Sequence, residues 1–126
     1  MILIDTSVWI EFFKQRTPFT ETVQFLLKAQ LAVAIEPVFA ELLYGVRNQK
    51  EKDMIQSYWE ILPRIKFGQD SMIKAADYAN ANHFLQGGIG LIDAMIIHSA
   101  IEGNHLLWTL DKRILGAIDS KLIYQS

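Results

Sequence analysis

Apolar and polar positions follow two different rhythms along the chain. Ile2 to Ile4 is a short apolar run that stops at the polar triplet Asp5-Thr6-Ser7. Val8, Trp9, Phe12 and Phe13 then recur at helical spacing, so the pattern predicts a strand, a polar corner and a helix. Thr20 with Glu21 opens a second helix through about Gln30, with Val23, Leu26 and Leu27 as its stripe. Ala32 to Ile35 is a strand candidate, and Pro37 suits the first residue of the helix after it. There Val38, Phe39, Leu42, Leu43 and Val46 form one apolar stripe.

Gln49 to Leu62 predicts a further helix, stopped by Pro63, and Arg64 to Phe67 a third strand. Asp70 suits the N-cap of a helix reaching about Leu85. Gly87-Gly88-Ile89-Gly90 breaks the chain, and Leu91 to Glu102 is apolar on nearly every side, the pattern of a helix buried in the middle of a domain. Leu106 to Leu110 predicts a strand, Asp111 to about Ala117 a short helix, and Leu122 to Tyr124 a last strand. Strands alternating with helices argue for an α/β fold of three layers, a small and mostly parallel sheet between helices. In such sheets ligands sit beyond the carboxyl ends of the strands. Asp5 and Asp111 each come first after an apolar strand, and Asp93 opens the buried helix.

Composition narrows the class. The 126 residues fit one domain, residues 1–126. Hydrophobic residues at 51% and aromatics at 11% exclude a disordered chain. With no cysteine there is no disulfide framework, zinc ribbon or thiol nucleophile. The net charge of 12 − 14 = −2 gives no overall basic footprint for nucleic acid, although bound metal ions can supply positive charge locally. The apolar run Ile89 to Ile97 is too short to span a bilayer, and the N-terminus has no basic leader. A soluble cytoplasmic domain is the expectation.

Four carboxylates are the candidate chemistry. Asp5, Asp93 and Asp111 each stand at a predicted helix start, where capping backbone N–H groups is the plain alternative. Glu41 lies mid-helix with no cap to form, about 130° from the centre of the apolar stripe at the helical 100° per residue. Both a solvent-facing glutamate and a site residue are open there. If the four converge, two carboxylates about 5 Å apart repel by roughly 3 kcal/mol at an effective dielectric near 20. Such a cluster demands protonation or a cation. Oxygen donors without histidine or cysteine favour Mg²⁺ or Mn²⁺, and the chemistry suits phosphodiester hydrolysis. The three histidines lack metal-ligand spacing, and His98 in an apolar helix reads as packing. Gly88-Ile89-Gly90 does not follow a strand, so it is no dinucleotide fingerprint.

The ordered set Ile4-Asp5-Thr6-Ser7, Ala40-Glu41-Leu42-Leu43-Tyr44-Gly45, Leu91-Ile92-Asp93-Ala94-Met95-Ile96 and Trp108-Thr109-Leu110-Asp111-Lys112 resembles the PIN-domain ribonucleases, specifically VapC-type toxins of toxin–antitoxin pairs. Acidic residues number 14 in 126, so four positions fixed in advance would all be acidic by chance about once in several thousand trials. The resemblance implies a metal-dependent endoribonuclease with Mg²⁺ or Mn²⁺ as cofactor. Asp5 and Asp93 would be the principal metal ligands, Glu41 would complete the set or act through a water, and Asp111 would orient a water or hold a second ion. Thr6, Ser7 and Thr109 would be hydrogen-bonding neighbours. Lys14, Arg16, Arg47, Lys112 and Arg113 flank these positions and are candidates for RNA phosphate, solvated surface charge being the alternative. Glu36 departs from the pattern, which has a small hydroxyl residue there.

The same resemblance implies a cognate antitoxin and a homodimer. Trp9, Phe12, Phe13, Tyr58 and Trp59 could supply both a core and an interface, core being the default. Two readings compete with the nuclease. One is a PIN-like module that binds RNA or protein without cutting; the other is a receiver-like domain phosphorylated on aspartate, disfavoured because Asp5 is followed by Thr6 and Ser7.

Overall fold

The computed structural model describes residues 1–126. Three short parallel strands form its centre: β1 (Ile2–Ile4), β2 (Ala32–Val33) and β3 (Leu106–Trp108), in the order β2-β1-β3. In β1, Ile2, Leu3 and Ile4 are all buried. Successive side chains of a strand point to opposite faces, so both faces of the sheet are covered. Seven helices do the covering: α1 (Thr6–Phe13), α2 (Phe19–Lys28), α3 (Glu36–Tyr44), α4 (Gln49–Ile61), α5 (Ser71–Ala81), α6 (Leu91–Glu102) and α7 (Lys112–Ala117). The expected layered α/β architecture is what forms, and no helix is long and apolar enough to cross a membrane.

Two expected strands shrink to single bridges. Arg64 pairs with Ala34, and Ile123 with Leu107, both in parallel. Ala34 donates to the Pro63 carbonyl and accepts from Ile65, but pairing stops there because Ile35 becomes the N-cap residue of α3. At the other edge, Asp119 caps a single 3₁₀ turn over Ser120–Leu122, so pairing begins only at Ile123. Glu36 is the first residue of α3, one place before the position expected for the helix start. A carboxylate there meets the positive end of the helix dipole, which gives this residue a structural account.

Helix α5 is shorter than expected, and Asp70 does not cap it with its side chain. Its end is set by His83 in the left-handed region (φ 58°). His83 N–H bonds to the Asn80 carbonyl and Phe84 N–H to that of Ala79, a Schellman closure without glycine. Helix α6 closes in the same way through Asn104 (φ 58°). That helix is buried along Ala94, Met95, Ile96, Ile97 and Ala100. Its first turn is not: Leu91 and Ile92 are 48% and 42% exposed, because it emerges at the end of the sheet. Trp9 is fully buried among Phe12, Phe13, Phe39 and Tyr58 at centroid distances of 5.4 to 5.7 Å. These aromatics are core, and they lock α1 to α3 and α4.

Candidate functional site

The register of the two central strands builds the site. Ile4 of β1 lies beside Trp108 of β3, and Asp5 N–H donates to the Trp108 carbonyl at 2.9 Å. One residue further on, Asp5 and Thr109 therefore stand side by side past the carboxyl ends of the strands. Both are buried, at 4% exposure. Thr109 Oγ1 donates to Asp5 Oδ2 at 2.7 Å, and Ser7 Oγ donates to the same oxygen at 2.9 Å. Asp5 Oδ2 is thus saturated by two hydroxyls while Oδ1 is left for another ligand. Ser7 Oγ in turn accepts from Leu110 N–H at 3.0 Å, and Thr109 Oγ1 accepts from Asp111 N–H at 3.1 Å. Asp5 takes the N-cap place of α1 but makes no capping bond with its side chain.

The other three carboxylates arrive on helices. Glu41 lies on the exposed side of α3, where Thr6 Oγ1 donates to its Oε1 at 2.7 Å. Asp93 stands in the first turn of α6, whose N-cap residue is Gly90. Asp111 does cap α7: its Oδ1 accepts from Arg113 N–H at 2.9 Å. It also pairs with the Arg113 guanidinium, Nη2 to Oδ2 at 3.0 Å and Nε to Oδ1 at 3.3 Å. The capping expected of Asp111 is therefore present.

Electrostatics unite the four. Asp93 is pushed up to about 6, first by burial and then by the charges of Asp5, Asp111 and Glu41, with Arg113 acting in the opposite sense. Hydrogen bonds from the Arg113 side chain hold Asp111 below the usual carboxylate range. No three of these groups stand close enough to enclose one ion as the side chains lie. Coulomb repulsion reaches further than a ligand bond, so the raised Asp93 is the more telling sign that they face one space. Thr6 holds Glu41, and Arg113 holds Asp111. The donor set, hard carboxylate oxygens from four segments, fits Mg²⁺ or Mn²⁺ in kind; gathering around an ion requires side-chain rotation.

All the residues singled out in the sequence thus lie at this end of the sheet, except for part of the basic set. Arg16 pairs with Glu11 at 3.1 Å and Arg47 with Glu51 at 3.2 Å, each through one exposed guanidinium nitrogen. Lys14 and Arg47 line a cleft of about 370 Å³ that also contains Thr6, Glu41, Phe13 and Met54. A second cleft, of about 490 Å³, lies on the other side, lined by Glu36, Ala40, Ile92 and Met95. His98 stacks against Tyr78 at 5.4 Å and faces Glu102 at 3.4 Å, in keeping with packing. The part the sequence did not announce is the Gly88 carbonyl, which accepts from Arg113 Nη1 at 3.1 Å. The glycine-rich run 87–90 was its only signal.

The family model described as PIN domain matches residues 2–119. Among solved structures, the chain is similar to a chain of VapBC2 from Rickettsia felis bound to a DNA fragment from its promoter, with TM-score 0.70 and 26% identity over 98% of this chain and 96% of that one. A toxin–antitoxin complex from Klebsiella pneumoniae matches with TM-score 0.75 and 18% identity, covering 99% and 97%. VapBC-1 from nontypeable Haemophilus influenzae matches with TM-score 0.66 and 24% identity, covering 92% and 94%. At their lower identities the last two speak to fold alone. No match is found among curated protein sequences.

Proposed function

The chain belongs to the PIN-domain family, and from that premise we propose that it is the toxin of a VapBC-type pair, a divalent-metal-dependent endoribonuclease that hydrolyses RNA phosphodiester bonds. The observation that carries this reading is Asp93, raised by burial and by three other carboxylates from separate parts of the chain. Capping alone does not account for it: hydrogen bonds to a carboxylate lower its pKa, whereas burial and three neighbouring negative charges raise that of Asp93.

Asp5 and Asp93 would hold Mg²⁺ or Mn²⁺, with Glu41 completing the set and Asp111 orienting the attacking water or serving a second ion. When bound, such a cation supplies positive charge against the scissile phosphate and acidifies a water. The chain's own work is positioning. Ser7 and Thr109 fix Oδ2 of Asp5 and so hold the carboxylate in place. Thr6 sets the rotamer of Glu41. Lys14 pairs with no carboxylate, which leaves its ammonium group for phosphate in a chain of net charge −2.

The antitoxin partner is supported by the similarity, at 26% identity, to a chain of VapBC2. Homodimer formation has a surface available in Met72, Ile73, Leu91 and Ile92, all more than 40% exposed. The expected place of action is the cytoplasm. The test is incubation of single-stranded RNA with the purified chain and Mg²⁺ or Mn²⁺. Internal cleavage that stops with a chelator and in Asp93→Asn supports the proposal. RNA binding without metal-dependent turnover would favour the non-catalytic module instead.

A further inference from the structure

Arg113 does more than salt-bridge a surface aspartate. Its backbone N–H and Nε both reach Asp111 Oδ1, at 2.9 and 3.3 Å, and Nη2 reaches Oδ2 at 3.0 Å. Both oxygens of Asp111 are therefore occupied by one residue. The remaining arm, Nη1, bonds to the Gly88 carbonyl at 3.1 Å. Gly88 has a φ of 79°, and a Cβ there would sit 3.5 Å from Arg113 Cδ, in ordinary van der Waals contact, so the side chain packs along the turn. The guanidinium thus spans two segments, the start of α7 and the run 87–90 that leads into α6 and Asp93. Arg113 is also the one cation whose charge opposes the three carboxylates at Asp93.

We propose that Arg113 is a resident counter-ion: its fork holds Asp111 in the metal-free protein and must let go before Asp111 can serve a divalent cation. A planar guanidinium binding a carboxylate two-pronged uses the lone pairs a metal would need. The side chain is 59% exposed, so swinging away into water leaves no buried charge behind. Release also frees the Gly88 carbonyl, which makes metal entry at Asp111 and slackening of the turn before Asp93 one event. This inference rests on the proposed metal site and adds a competitor to it.

The test is calorimetric titration of Mn²⁺ into the metal-free chain, without RNA. Arg113→Gln is expected to bind Mn²⁺ about threefold to fivefold more tightly than wild type, the worth of an exposed ion pair. Arg113→Lys keeps the charge but loses the fork, and is expected to recover at least half of that gain on a logarithmic scale. It also serves if the neutral variant does not fold. Lys112→Gln removes a neighbouring charge that pairs with nothing and is expected to bind as wild type does.

If Arg113→Lys matches wild type while Lys112→Gln tightens like Arg113→Gln, the effect is that of net charge alone and the fork has no part. If both Arg113 variants bind Mn²⁺ more weakly, Arg113 builds the site instead of competing for it, and the proposal is overturned. No heat from wild type, with Asp93→Asn identical, would overturn the metal site together with this inference. Binding by wild type without tightening in the variants would overturn this inference alone.

Discussion

Thr109 Oγ1 and Asp5 Oδ2 are joined by a hydrogen bond of 2.7 Å across 104 residues of sequence, between two side chains that are each 4% exposed. Strand register alone brings them together, since Ile4 pairs with Trp108 one residue earlier. A buried carboxylate that loses a donor keeps its desolvation cost. Thr109→Val, of the same shape, is therefore expected to destabilise the chain by about 1–3 kcal/mol in urea unfolding. Thr109→Ser keeps the hydroxyl and should recover most of that loss.

Asp93 makes stability depend on pH in a definite direction. Its folded pKa is raised from 3.8 to about 6, so the folded state holds the proton more tightly than the unfolded state. The stability this group contributes is complete below its unfolded pKa and is lost as pH rises through about 6. With metal removed by a chelator, Asp93→Asn is expected to melt at a higher temperature than wild type near pH 8. The gap should close as the pH falls to about 4. A mutant that is less stable at every pH would mean that Asp93 is a helix-start residue and nothing more.

Metal uptake should follow the same titration with the opposite consequence. A carboxylate must be deprotonated to bind a cation, so protons compete with it. The rise in melting temperature on adding Mn²⁺ to wild type is expected to be clearly larger near pH 7.5 than near pH 5.5. Equal shifts at both values would show that the group raised to about 6 takes no part in binding.

The position of α1, and with it Thr6 and Ser7, depends on Trp9. That ring is fully buried against Phe12, Phe13, Phe39 and Tyr58. Trp9→Ala is expected to cost about 3–5 kcal/mol by cavity formation. In denaturant melts this should appear as an early midpoint.

Much of this was legible in the residues because the strong signals are local. Ile2 to Ile4 ending at Asp5 fixed β1 and the first carboxylate, and the run Leu91 to Glu102 matches α6 at both ends. Asp111 reads as a cap and is one. What stayed hidden depends on neighbours. The end of α5 was missed by four residues because His83 adopts the left-handed turn where a glycine would have signalled it. The Arg64 and Ile123 segments pair for a single residue, since a helix start and a 3₁₀ turn claim the adjoining backbone. In the candidate site, the hydroxyls beside Asp5 belong to the same local motifs as the carboxylates, and Ser7 and Thr109 do bond to it. The engagement of Arg113 with Asp111 and Gly88 is not legible there, because nothing in a lysine–arginine pair after an aspartate says which cation folds back.

The most direct measurement is thermal unfolding with and without Mn²⁺ on wild type, Asp93→Asn and Glu41→Gln. One site built from carboxylates on separate elements should gain about 2.7 kcal/mol at a metal concentration one hundred times its dissociation constant. Wild type is then expected to melt several degrees higher with Mn²⁺, while Asp93→Asn does not respond and Glu41→Gln responds less than wild type. If Mn²⁺ leaves the wild-type midpoint unchanged, or raises all three alike, the four carboxylates do not form a metal site and the nuclease reading loses its chemical basis.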